Sequence, residues 1–320
     1  MDEHTPVLVN EVLTALALRP GGLYVDATFG RGGHSARILA ALAERGRLIA
    51  IDRDPAAIAA GRARFAHEPR LQLVHGEFAE LAQLVRAQVA GARCNGVLFD
   101  FGVASPQLDD ATRGFSFSHD GPLDMRMDAT RGQPVSAWLA DASLDEIHHV
   151  IAGLGEERFA GRIAAAIVRA RASSPLTGTA ALAALVAQCV RTREPGKHPA
   201  TRTFQALRMF INDELRQIQS GLAQALELLA DGGRLVAISF HSLEDRLVKE
   251  FIRSHSEIDP VLARLPVLPP LLAPPPLRRI GRKQRPGADE IAANPRARSA
   301  VLRVAEKRAP HAGGGSPSAA

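Results

Sequence analysis

Apolar positions in this chain follow two rhythms, and the change between them falls near residue 103. In the first hundred residues, short β-branched or aromatic runs end in a carboxylate or a glycine, and alanine- and leucine-rich stretches separate them. Leu23–Thr28, Arg47–Asp52, Leu71–Gly76 and Gly96–Gly102 read as strands, and Ser35–Ala43 and Leu81–Ala90 read as helices. Val7, Leu8, Val12, Leu13 and Leu16 have the spacing of a helix that leads into the first strand. Repeated strand–helix alternation predicts an α/β fold, a doubly wound parallel sheet with helices on both faces.

Residues 103–122 are too rich in turn formers for regular structure. From Val135 to Val190 apolar residues recur every third or fourth position, with breaks at Gly153-Leu154-Gly155 and Ser173-Ser174-Pro175. Thr203–Leu229 reads as one long helix with Phe204, Leu207, Ile211, Leu215, Ile218 and Leu222 on one stripe. Asp231-Gly232-Gly233 ends it, Arg234–Phe240 returns to a strand, and Ser299–Val304 reads as the last one. The sheet therefore resumes after a helical detour. The expected organisation is a discontinuous core of residues 1–108 and 203–308 with a mainly helical insertion of 109–202. Leu265–Pro276 is proline-rich and expected to be extended, and residues 309–320 are expected to be a disordered tail.

The densest chemistry lies in Asp26-Ala27-Thr28-Phe29-Gly30-Arg31-Gly32-Gly33-His34-Ser35. Strand, glycine turn and helix start is the layout in which backbone N–H groups and the positive helix end face an anionic group. Asp52 follows Gly30 by 22 residues, where such folds place an acid that accepts ribose hydroxyls. The pattern fits NAD and S-adenosylmethionine about equally. Ser35 stands where the dinucleotide fingerprint has its third glycine, which leans away from NAD. An ordinary βα turn is the plain alternative. Asp26, Asp52 and Asp100 all fall at strand ends, the rim where ligands of such sheets bind.

Composition narrows this little. Hydrophobic content of 46% and charged content of 23% are those of an ordinary globular chain. No apolar stretch has bilayer-spanning length, and Asp2, Glu3 and Glu11 interrupt any signal-peptide core, so no membrane association and a cytoplasmic location are expected. Cys94 and Cys189 stand apart, and His34, His75, His119, His198 and His241 have no metal-ligand spacing, so no metal is expected. The formal charge of +5 gathers at one end, where ten Lys and Arg between Arg278 and Arg308 face only Asp289, Glu290 and Glu306. Such a segment suits a nucleic-acid backbone, with a solvated face as the alternative.

The glycine turn, taken with other stretches, resembles one family. These stretches are Ser105-Pro106-Gln107-Leu108-Asp109, Arg113-Gly114-Phe115-Ser116-Phe117, Gly121-Pro122-Leu123-Asp124-Met125-Arg126-Met127-Asp128, Lys197-His198-Pro199-Ala200-Thr201-Arg202-Thr203-Phe204-Gln205, Ser239-Phe240-His241-Ser242-Leu243-Glu244-Asp245-Arg246 and Asn294-Pro295-Arg296-Ala297-Arg298-Ser299. The family is the ribosomal RNA small subunit methyltransferase H family, also called MraW, and the resemblance spans about residues 4–307. It implies a Rossmann-like methyltransferase sheet that uses S-adenosylmethionine to methylate N4 of a cytidine in the decoding region of 16S rRNA. It also implies cofactor contacts from Gly32, Gly33, His34, Asp52, Phe78, Asp100 and Gln107.

Asp100 and the Ser105-Pro106 turn are the candidates for accepting a proton or hydrogen bond from the amine, and Phe115 or Phe117 for stacking on the base. His198, Arg202, Arg278 and Arg279 are the candidate RNA contacts. Asp and Arg alternate in the Gly121–Asp128 loop, which suggests an internal salt-bridge network. The expected partner is 16S rRNA, within the small ribosomal subunit, and whether the chain forms a homodimer stays open. Competing readings are a ribosome assembly factor that binds RNA and cofactor without essential catalysis, a DNA amino-methyltransferase, and an NAD-dependent oxidoreductase.

Overall fold

The computed structural model describes residues 6–191, 198–258 and 274–309. The chain forms two compact units, one of residues 1–102 with 217–320 and one of residues 103–216. These boundaries differ from the expected 108/109 and 202/203, because the second unit includes both the Ser105–Asp109 helix and the Thr201–Ile211 helix.

Among the described residues the first unit is built on seven strands: β1 (Leu23–Asp26), β2 (Arg47–Asp52), β3 (Leu71–His75), β4 (Cys94–Asp100), β5 (Leu229–Ser239), β6 (Leu277–Arg279) and β7 (Val301–Lys307). Their order across the sheet is β3-β2-β1-β4-β5-β7-β6. The pairs among β1 to β5 are parallel, whereas β7 runs antiparallel to both neighbours, so the sheet is mixed at the end formed last. The helices, in chain order, are α1 (Val9–Leu16), α2 (Gly33–Ala41), α3 (Pro55–Arg64), α4 (Leu81–Gln88), α5 (Ser105–Asp109), α6 (Val135–Asp141), α7 (Leu144–Gly155), α8 (Ala160–Ser173), α9 (Thr179–Cys189), α10 (Thr201–Ile211), α11 (Glu214–Leu228), α12 (Ser242–Ser256) and α13 (Ala288–Ala293).

Strand alternation divides the sheet's apolar residues between two cores. Val25, Ile49, Val97, Phe99, Leu235 and Ala237 pack with Leu81 and Val85 of α4, Ile218 and Leu222 of α11, and Val248 and Ile252 of α12. Their neighbours Tyr24, Leu48, Leu98, Val236 and Ile238 pack with Val12 and Leu16 of α1 and Ile38 and Leu39 of α2. Both faces are therefore covered, as a parallel sheet requires. Local chemistry sets the helix starts. Asp54 caps α3 by accepting from the Ala56 N–H at 3.0 Å, with Pro55 in the first turn.

The second unit packs α6 to α10 around Leu123, Met125, Trp138, Ile147, Ile163 and Leu207. Its Gly121–Asp128 loop carries the salt bridges its sequence suggests, with Asp124–Arg126 at 2.7 Å and Asp128–Arg131 at 3.6 Å. Residues 103–122 are less irregular than expected, since they hold α5 and a 3-10 turn at Ala111–Arg113.

The helix expected over Thr203–Leu229 is two helices. α10 stops at Ile211, and Asp213 takes φ +50°, a backbone that helices do not tolerate. Asn212, 2% exposed, is the reason. Its Oδ1 accepts from the Met127 N–H at 2.8 Å, and its Nδ2 donates to the carbonyls of Met125 at 2.7 Å and Arg208 at 2.8 Å. β5 starts at Leu229, five positions earlier than expected, and reaches Gly233 through an irregularity opposite Cys94 and Gly96. β6 was not expected at all, and the last strand runs to Lys307 while Pro295–Ser299 forms a 3-10 turn. Most of the proline-rich segment, and the tail from residue 310, lie outside the described residues.

Candidate active site at the strand ends

β1, β2 and β4 end in Asp26, Asp52 and Asp100 at neighbouring positions of the sheet. Each carboxylate has a different environment. Asp26 is 1% exposed and accepts from the Ser35 hydroxyl at 2.7 Å and the Thr28 N–H at 3.2 Å. Burial pushes its carboxyl above the ordinary range, and the Ser35 hydrogen bond works against that shift.

Asp52 holds the glycine turn. Its Oδ2 accepts from the Gly30 N–H at 2.7 Å and its Oδ1 from the Asp54 N–H at 2.8 Å. The side chain keeps some access to solvent, yet protein crowds it enough that burial pushes the carboxyl up to about 6. Each oxygen has a further lone pair, so two more donors can be accepted.

Asp100 is fixed through its own N–H, which donates to Thr28 Oγ1 at 2.7 Å. Its Oδ2 lies 3.4 Å from Nε2 of His34, a residue 6% exposed in the first turn of α2. Burial opposes a charged imidazole, but Asp100, aided by Asp26 and Glu290, outweighs it and holds the His34 pKa above its ordinary value. Among the described residues Asp100 Oδ1, which is buried, has no hydrogen-bond partner, so this carboxylate has an unused acceptor.

The turn itself is built for close approach. Gly30 and Gly32 take φ +54° and +71°, and a Cβ on Gly32 would lie 2.7 Å from the Phe29 ring. Gly32 precedes α2, whose start no side chain caps. The first N–H groups of the helix therefore remain for an anionic ligand. The pieces form an anion-binding turn, an acceptor for hydroxyl donors and a buried acceptor atom at adjoining strand ends, and they fit a ligand with a carboxylate, a ribose and a cationic centre.

The MraW methylase family pattern matches residues 1–308. The chain belongs to that family. It is 57% identical over 305 residues to the Ribosomal RNA small subunit methyltransferase H of Azoarcus sp. (strain BH72), covering 95% of this chain and 97% of that one. The protein of that name from Dechloromonas aromatica (strain RCB) is likewise 57% identical over 305 residues, with 95% and 98% covered. The one from Neisseria gonorrhoeae (strain NCCP11945) is 52% identical over 306 residues, with 96% of each chain covered. The α/β sheet is thus a Rossmann-like methylase fold.

In this MraW chain the remaining candidates belong to other elements of the two units. Phe78, just after β3, is partly buried and packs edge-on against Phe99, with centroids 5.8 Å apart, and obliquely on Phe101 at 6.0 Å. Ser105 and Gln107 belong to the helical unit, each 7% exposed in α5, where Gln107 Oε1 accepts from the Ala104 N–H at 3.0 Å. Phe115 is buried, while Phe117 stacks on the exposed His198 ring at 4.5 Å and packs edge-on against Phe204 at 5.1 Å. Arg202 Nη1 donates to the Glu156 carbonyl at 2.6 Å, at the end of α7. Arg278 pairs with Glu306 at 2.5 Å, whereas Arg279 is exposed on the edge strand.

Sequence reasoning missed three groups. Ser35, noted only as an absent glycine, supplies the hydroxyl that keeps Asp26 satisfied. Its position nine residues after a strand-end acid was the available signal. Thr28 anchors Asp100. Glu290 accepts from the Leu8 N–H at 2.7 Å and bears on His34 from 282 residues beyond Leu8, a pairing no local pattern announces.

Proposed function

We propose that the chain transfers the methyl group of S-adenosylmethionine to N4 of a cytidine in the decoding region of 16S rRNA, in the cytoplasm and on the small ribosomal subunit. Membership of a methylase family supports the reaction class, and relatives named Ribosomal RNA small subunit methyltransferase H support the RNA. The resemblance set out in the sequence supplies the cytidine and its N4 amine.

The observation that carries the reading is the Asp52–Gly30 clasp beside the uncapped start of α2 and the unpartnered Asp100 Oδ1. Gly32, Gly33 and the His34 backbone would bind the methionine carboxylate, and Asp52 the ribose hydroxyls. Phe78 would face the adenine, and Gln107 would add a contact from the helical unit. The cofactor, when bound, supplies a methyl group already activated by its sulfonium.

What the chain must add is orientation, worth roughly 7–11 kcal/mol when two reacting atoms are held in line. N4 is a poor nucleophile because its lone pair is delocalised into the ring. A hydrogen bond from N4–H to Asp100 Oδ1 would localise that pair, and the Asp100 carboxylate would take the proton that N4 sheds once the methyl group is bonded to it. The Ser105 carbonyl is the second candidate for this acceptor. A base in folded RNA must leave its stack to reach such a site. His198, Arg202 and Arg279 are the proposed RNA contacts. Arg278 would contribute only by exchanging Glu306 for a phosphate.

The test supplies methyl-labelled S-adenosylmethionine and the purified chain to small subunits from cells lacking its gene, with free 16S rRNA and duplex DNA alongside. Label on N4 of one cytidine after digestion is the expected result. Label on DNA, or cofactor binding with no label on any substrate, overturns it.

A further inference from the structure

Within the sheet unit, a cavity of about 350 Å³ opens between the second half of α12 and the turn that follows the edge strand β6. Six cations line it, namely Lys249, Arg253, Arg279, Arg282, Lys283 and Arg303, against the two carboxylates of Glu250 and Glu257. Arg303 is committed, since it donates to both oxygens of Asp245 at 2.6 and 2.9 Å. Among the described residues the other five side chains form no ion pair, and all five are exposed. Cations gathered around one cavity repel one another, and the Glu250 and Glu257 carboxylates offset only part of that charge.

The cavity has a fixed shape and an apolar floor. Ile252 and Val304, 3% and 5% exposed, form part of that floor together with Ile280. The turn bearing Arg282 and Lys283 is tied to β7 at both ends. The Ile280 N–H donates to the Val304 carbonyl at 3.0 Å, and Gln284 and Leu302 exchange two hydrogen bonds at 3.0 Å. Three of the free cations therefore sit on backbone already fixed, and Lys249 and Arg253 face them from one helix, a turn apart.

Guanidinium forks match phosphate oxygens in pairs, and aliphatic surface beneath them suits a sugar or base. The volume is that of a small-ligand site, enough for one nucleotide. Yet β6 lies three strands from β4, whose end carries Asp100, roughly 14 Å away at about 4.8 Å per strand. The site is too far away to be the place of methyl transfer.

We propose that this cavity binds a nucleotide of the RNA strand, its phosphodiester against Arg253, Arg279, Arg282 and Lys283 and its nucleoside on the Ile252–Val304 floor. The site anchors RNA at a distance from the reacting base. This rests on RNA being the substrate, as proposed above.

The test measures binding of a labelled single-stranded oligoribonucleotide to the full chain across a salt series, for the wild type and for Arg253→Gln with Arg282→Gln. Both positions are exposed, so the fold is retained. Losing two phosphate contacts should flatten the slope of log affinity against log salt by about 1.4, and weaken binding roughly tenfold at about 0.15 M salt. KM for RNA should rise with kcat unchanged, and S-adenosylmethionine affinity should stay the same. Unchanged RNA affinity and slope in the variant, with a wild type that binds and methylates RNA, overturns the anchor alone. Polyglutamate that displaces RNA as well as unlabelled oligonucleotide does overturns it in favour of an acidic protein partner. Cytidine monophosphate that binds as tightly as the oligonucleotide overturns it in favour of a free nucleotide. A wild type that neither binds nor methylates RNA removes the proposed function itself.

Discussion

Replacing Asp52 by Asn tests the strand-end site where a magnitude can be worked out. Burial lifts this carboxyl from 3.8 to about 6, so the folded protein favours its neutral form. That contribution to stability is fully present below pH 3.8 and is lost as the pH rises through about 6. At about 1.4 kcal/mol per unit the full shift corresponds to about 3 kcal/mol, and the solvent access that remains to the side chain reduces it. A ligand whose hydroxyls donate to Asp52 favours the ionised form instead, so binding opposes burial. With a carboxyl at about 6, roughly a tenth is ionised at pH 5 and nine-tenths at pH 7.

Calorimetric titration of S-adenosylmethionine into the wild type should therefore show affinity rising about tenfold over that interval. Asp52→Asn should flatten the profile and weaken binding at pH 7 by roughly 10- to 150-fold, the worth of a hydrogen bond to a charged group. His34 and Asp26 remain in both proteins, so the difference between the two profiles belongs to residue 52. Wild type and variant with the same pH slope would refute the assignment of Asp52 to the cofactor.

Asp100→Asn should lower kcat by roughly 10²- to 10⁴-fold through loss of the proton acceptor. It should also lower the His34 pKa, read by NMR titration, because the pairing with Asp100 counters burial there; a retained rate would exclude the role. Ser35→Ala leaves buried Asp26 without its hydroxyl donor and should cost about 1.5–3 kcal/mol, seen as a lower Tm at neutral pH. Asn212→Ala removes three hydrogen bonds, two of them buried, and should cost about 2–4 kcal/mol. Hydrogen exchange should show it as faster exchange of the Met127 amide, and an amide as protected as before would contradict the clasp.

Much of the sheet unit is legible because its information is local. Alternating apolar residues mark each strand, and a carboxylate closes three of them where the chain meets the rim. The glycine turn is visible for the same reason, since positive φ and close packing leave a signature at Gly30 and Gly32 themselves. What was not legible depends on distant partners. Ile211 and Leu215 continue one apolar stripe, so nothing nearby reveals that Asn212 turns away to hold Met125 and Met127, 87 and 85 residues earlier. β6 is three residues long, too short for alternation to show, and exists because β7 pairs with it. Charge counting marked the basic end but could not separate Arg278, neutralised by Glu306, from Arg279 and Arg282, which line a cavity.

The pairing of β4 with β5 sets the order in which the protein can be completed. Cys94 and Leu229 are partners across that ladder, and the whole helical unit lies between them in the chain. A ribosome adding about 5–20 residues per second finishes β4 at Asp100 and reaches Ser239, the end of β5, roughly 7–28 s later. Throughout that interval β4, with its apolar Val97, Leu98 and Phe99, is an open edge on a half-built sheet. Loop closure over so long a separation is slow. The insertion that gives the fold its second unit thus also makes the nascent chain vulnerable to edge pairing, and truncations that end before β5 should aggregate rather than fold.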